Sequence, residues 1–151
     1  MSKIANRRSP SGPQIVLQLP FYGCVPQSAA NDFAPLGSAG AAVATEQGQE
    51  YEIPIGNSLN GDSGRLDTFE VRNNPVGTDT GNTTYHVRKN GANVGDPLVI
   101  ANNAVGPVKI DLSDIAVRAG DLVSIEVDCP ALTGTAPQAR FFLSWLPQGN
   151  I

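Results

Sequence analysis

Charge is scarce in this chain. Only 16% of its 151 residues are Asp, Glu, Lys or Arg, against about 25% in an ordinary globular domain. Asn, Gln, Ser, Thr and Gly must therefore carry the surface, and such a surface suits a protein packed against copies or partners. The net charge is −4, which argues against the basic field that general nucleic-acid binding needs. Histidine occurs once, as His86, and cysteine twice, as Cys24 and Cys129. With no CxxC and no Cys/His cluster, a zinc or other transition-metal centre is not expected. The two thiols are expected to be free and buried; spacing alone does not establish a disulfide between them. No apolar run approaches the length of a membrane span. The opening Met1–Pro13 lacks the apolar stretch of a signal peptide, so synthesis in a cytoplasm is expected. Walker, GxGxxG and GxSxG motifs are absent, and no cofactor is expected.

Turn residues are abundant instead. The chain has 16 Gly and 12 Pro, and short β-branched runs are cut at near-regular intervals by Asn90-Gly91, Gly95-Asp96, Asn102-Asn103, Gly106-Pro107 and Gly120-Asp121. That punctuation predicts an all-β, antiparallel, jelly-roll-like sandwich of eight or nine short strands. The expected layout is an extended N-terminal arm over 1–13, a β-sandwich over 14–147 and a tail over 148–151. Gln14–Leu19 reads as the first strand, with Ile15, Leu17 and Leu19 on one face. Phe21–Ser38 reads as irregular and Asn57–Arg65 as loop. Leu66–Arg72 is a strand in which Phe69 and Val71 sit in opposite or bulged register to Leu66. Thr83–Lys89 alternates and is expected to form a hairpin with Pro97–Ala101 across a longer loop over Asn90–Asp96. Val108–Leu112 and Leu122–Val127 also alternate, and Ser113–Arg118 is expected to hold one helical turn. Arg140–Leu146 is apolar on both sides and reads as a central or interface strand.

Reactive constellations are few. Asn60-Gly61-Asp62-Ser63-Gly64-Arg65 resembles the nucleophile segment of chymotrypsin-like proteases. There the histidine precedes the serine, whereas His86 follows Ser63, and Gly-Asp-Ser-Gly also describes a tight loop. His86 reads as an outward-facing strand residue. Asp62, Asp67, Asp79, Asp96 and Asp128 lie in or near loops and bond turns in most such settings; no EF-hand spacing links them. Phe21, Tyr22, Phe33, Tyr51, Tyr85 and Trp145 are available for stacking on sugars, although aromatics at strand spacing usually belong to a core. In the arm, Lys3, Arg7 and Arg8 occur without an acid and are expected to seek carboxylates on a neighbour.

The stretches Tyr85–Gly91, Leu98–Ile100 and Val117–Ile125 together resemble the jelly-roll modules of tailed-phage head decoration (cement) proteins, head fibres and tail spikes. The likeness covers about residues 83–146. It implies a non-enzymatic virion protein, made in the host cytoplasm and placed on the capsid surface, where it binds the major capsid protein and stabilises the head. It further implies a homotrimer, for which the nearly apolar last strand supplies candidate interface residues, Phe141, Phe142 and Trp145. Neither a nucleic acid nor a membrane is an expected partner. A receptor- or glycan-binding fibre or spike domain is the alternative.

Overall fold

The structure is a computed structural model and describes residues 15–54 and 62–147. Its strands are β1 (Leu17–Gln18), β2 (Gly23–Val25), β3 (Ala29–Phe33), β4 (Ala39–Ala41), β5 (Tyr51–Glu52), β6 (Asp62–Asn73), β7 (Asn82–Lys89), β8 (Ala92–Asn93), β9 (Leu98–Ala101), β10 (Pro107–Asp111), β11 (Ala116–Arg118), β12 (Leu122–Cys129) and β13 (Ala139–Pro147). One sheet has the order β10-β6-β13-β2-β4, with β1 on β13 and β11 on β6. The other runs β3-β12-β7-β8, with β5 on β12 and β9 on β7. All pairings are antiparallel except β2 with β4. Without the accessory strands β1, β4, β5, β8 and β11, two four-stranded sheets remain, β10-β6-β13-β2 and β3-β12-β7-β9. The chain changes sheet at every step except the β7–β9 hairpin, which is jelly-roll order. The all-β sandwich read from the sequence is the observed fold.

The core lies between the sheets. Leu66, Phe69, Val71, Phe141, Leu143 and Trp145 enter from one side, and Tyr85, Val87, Leu98, Val123, Ile125 and Val127 from the other. Each such side chain contributes about 1.5–3 kcal/mol by leaving water. At its centre Phe69, Tyr85 and Phe141 meet edge to face, with ring centroids 5.3–6.4 Å apart. Tyr85 thereby joins the two sheets.

Leu66 and Phe69 both point inward although they lie three positions apart in the strand, an odd step. β6 advances from Phe69 to Leu66 while β13 advances only from Leu143 to Trp145. The extra residue is a β-bulge, and Ser144 satisfies it. The Ser144 Oγ accepts the Thr68 N–H at 3.2 Å and donates to Asp67 Oδ2 at 3.2 Å. β13 is also hemmed by glycines, since a Cβ on Gly23 would overlap the Ala139 carbonyl oxygen.

Several local readings are corrected. The first strand is only Leu17–Gln18; Leu19 is buried, whereas Ile15 and Leu17 are exposed. The stretch from Phe21 to Ser38 holds β2 and β3. Their sequences, GCV and AANDF, lack a β-branched alternation, and pairing with β13 and β12 forms them. Strand β6 begins at Asp62, inside the expected loop. Ser113–Arg118 makes a turn and then β11. Asp111 Oδ1 accepts the Ser113 N–H at 2.8 Å, which closes a turn instead of starting a helix. Asn90-Gly91 is a two-residue turn with both φ angles positive, so β7 leads directly into β8 before the chain reaches β9.

Candidate functional site

Among the described residues three regions carry polar or exposed chemistry, and they differ in how far the chain covers them. The first is the end of the sandwich where the loops β6–β7, β9–β10 and β12–β13 meet. Asp79 is their hub. Its Oδ1 accepts the Thr133 N–H at 2.7 Å and the Thr133 hydroxyl at 3.0 Å. Its Oδ2 accepts the Asn102 amide at 2.8 Å and the Gly81 N–H at 2.9 Å. These donors, led by the Thr133 main chain, pull the Asp79 carboxyl down to a pKa of about 2. Asn102 extends the hub by accepting the Thr83 hydroxyl at 2.6 Å. Asp79 is buried and its visible acceptors are filled, so it ties loops together.

The second region is the outer face of the sheet containing β12. Arg88 lies there between two carboxylates, 2.9 Å from Glu46 Oε1 and 3.0 Å from Glu126 Oε2. It also bonds Asn93 Oδ1 at 2.8 Å and the Gly91 carbonyl, and covers the Phe33 ring at 5.7 Å. Ser124 donates to Glu46 at 2.6 Å. Burial works against the Glu46 carboxylate, but the bonds from Arg88 and Ser124 outweigh it and hold its pKa below the ordinary value. Glu46 belongs to the connection between β4 and β5, so the chain clamps its own segment over this face. The clamp explains why β12 is buried on both sides, Ser124 and Glu126 included.

The third region is the outer face of β10-β6-β13-β2. Registers place its residues in rows across the strands. Pro107, Arg72, Arg140 and Gly23 form one row. Lys109, Glu70 and Phe142 form the next. Asp111 and Thr68 lie in the third, beside Ser144 and Gln18. Phe142 is 43% exposed and Tyr22, beside β2, is 49% exposed. Arg72 and Arg140 stand directly opposite each other, a pairing that costs energy between like charges. Among the described residues no ion pair relieves it. A shallow depression lined by Thr68, Lys109, Ile110 and Asp111 opens on the third row's side.

The expected site residues fall unevenly on this frame. Lys3, Arg7 and Arg8 lie outside the described residues. Of the three candidate interface aromatics, Phe141 is 6% exposed and Trp145 is 4% exposed, and both belong to the sandwich core. Phe142 is the one at the surface. Of the possible stacking residues Tyr22 is exposed, whereas Phe21, Phe33, Tyr85 and Trp145 are buried. His86 sits half-buried opposite Glu126. For Asp62 and Ser63 the structure describes backbone only. No cluster of three metal-ligating side chains occurs among the described residues, and both cysteines are free and buried. Burial drives the Cys24 thiol far above its ordinary pKa, so it stays protonated and unreactive. Sequence reading missed the Arg72–Arg140 pair. The two lie far apart in the chain, and only register makes them neighbours.

No protein-family model and no curated protein matches the chain. Among solved structures, the chain is similar to the coat protein dimer of Tobacco streak virus, with 12% identity over 93% of this chain and 90% of that one, at a TM-score of 0.40. It is also similar to an arabinose-bound GH51 α-L-arabinofuranosidase, with 16% identity over 65% of this chain and 19% of that one, at a TM-score of 0.35. These are loose superpositions, and the jelly-roll assignment rests on the strand order instead.

Proposed function

We propose that the protein is a non-enzymatic structural component of a virion, a decoration protein that attaches to the outside of the capsid and stabilises it. The observation that carries this reading is the contrast between the two outer faces. One is covered at its central strand β12 by the chain's own Glu46–Arg88 clamp, and the other leaves Phe142 exposed beside an arginine row that no ion pair among the described residues relieves. A domain whose polar clusters tie its own loops offers its chemistry through surface contact. Repetition over a symmetric shell turns weak contacts into firm attachment, and binding only the assembled shell stabilises it by mass action. The major capsid protein is the partner in this reading. The arm residues Lys3, Arg7 and Arg8 add contacts to its carboxylates.

The test uses undecorated, expanded heads of the particle whose genome encodes the chain. Purified protein should co-sediment with them and raise their rupture temperature. Equal rupture temperatures with and without bound protein would remove the stabilising role. The exposed Tyr22 and Phe142 favour a second reading, a glycan-binding domain. Saturable binding on a glycan array, lost in Tyr22→Ala, with no affinity for heads, would put that reading first.

A further inference from the structure

Between Arg72 and Thr68 the open face carries its charges as a gradient along the strands, and Arg65 lies beyond it at the far end of β6. The arginine row, Arg72 and Arg140, lies toward one end of β6 and β13. Asp111 lies in the row at the other end, with Asp67 beside it in the bulge. Phe142 sits in the middle row. A two-fold axis lying in the plane of the face, perpendicular to the strands, reverses strand direction and keeps each strand over its own copy. It lays Arg72 of one molecule over Thr68 of the other, next to Asp111 on the neighbouring strand, and brings the two Phe142 rings together. In the middle row Glu70 meets Glu70 and Lys109 meets Lys109, each flanked by the opposite charge on the adjacent strand. The depression beside Thr68 and Asp111 then lies under the incoming Arg72. The Asp111 carboxyl is held below its ordinary pKa by the Ser113 hydroxyl and N–H, so it stays charged near neutrality.

We infer that this face is a self-complementary interface, and that its occupant is the same face of a second copy. The inference deepens the virion reading: the open face joins two copies, and the rest of the paired surface is left to meet the shell. It differs from a three-fold seam of Phe141, Phe142 and Trp145, because two of those side chains are committed to the core. Like-charge opposition of Arg72 and Arg140 within one molecule is relieved by carboxylates from the other. The face has dimensions on the order of 20 Å by 17 Å, from strand spacing and rise. That is about 340 Å² on each copy, below the ordinary range for a stable interface, so the dimer should be weak and salt-sensitive.

The test is sedimentation velocity on the full chain from about 1 µM to about 500 µM at low and high salt. A monomer–dimer equilibrium in the micromolar range, weakened by salt, is expected. Phe142→Ser and the double variant Arg72→Glu, Arg140→Glu should each raise the dissociation constant about tenfold or more, with melting temperatures unchanged because all three side chains are exposed. Mixing the double variant with an Asp111→Lys variant should restore association as a heterodimer, a result that misfolding could not produce. A monomer throughout the range would overturn the inference, and so would a trimer. A dimer indifferent to all of these substitutions would place the interface elsewhere, with residues 1–13 the next segment to test.

Discussion

Single side chains do most to hold irregular backbone in place. Ser144 is fully buried and serves the β6 bulge with one acceptor and one donor. Ser144→Ala should cost about 1–2 kcal/mol in chemical denaturation, since it leaves the Thr68 N–H without its partner. Loss of less than a few tenths of that would show that the bulge is held by packing alone. Asp79 gives a pH signature. Its folded carboxyl titrates near 2, below the ordinary value of 3.8. A depressed pKa means that its contribution is fully present above the ordinary carboxylate range and declines as pH falls through 2. Amide protection at Thr133 and Gly81, relative to the intrinsic exchange rate at each pH, should therefore persist down to about pH 3. In Asp79→Ala that protection should be lost at every pH; unchanged protection would mean that the loops hold without the carboxylate.

At the scale of elements, the β4–β5 connection is fastened to the sheet by Arg88. The Arg88 and Glu46 side chains are 16% and 21% exposed. Removing the cation strands two carboxylates in partial burial. Arg88→Ala should therefore destabilise by about 3 kcal/mol, and added salt should recover little of it. Limited proteolysis should then cut between Ala42 and Glu50. An intact segment in the variant would show that the Phe33–Val43 bridge suffices to hold it. Only the sheet side of this clamp was legible in advance. The alternation in Thr83–Lys89 put Arg88 on the outer face, but nothing local marked Glu46 as its partner, because the pair is brought together by strand order alone.

For the whole molecule, the arm proposed over residues 1–13 is expected to add little to the fold. The first core residue among those described is Leu19, and β1 adds only a two-residue pairing to β13. Deleting residues 1–13 should leave the melting temperature within about 2 °C of the full chain while weakening co-sedimentation with capsids. A large fall in melting temperature would show that the arm packs on its own domain; undiminished attachment would show that it has no part in binding.

The sequence by itself determined the class of fold, through the spacing of its turn residues and the two-residue period of its apolar ones. It also carried the position of the last strand. Arg140–Leu146 is apolar on both sides, and β13 does lie between β6 and β2 in the middle of its sheet. The odd spacing of Leu66 and Phe69 left opposite faces and a bulge both open, and the structure has the bulge, with both side chains buried. Tertiary structure decided the rest. Strands such as β2 and β4 have little pattern of their own and exist because an edge was available. Whether an apolar side chain in β13 faces core or solvent depends on which sheet face is covered, so Phe141 and Trp145 turned inward while Phe142 did not. Which charges become neighbours is set by register between distant segments, and that is why the Asp79 hub, the Arg88 clamp and the Arg72–Arg140 pair were invisible along the chain.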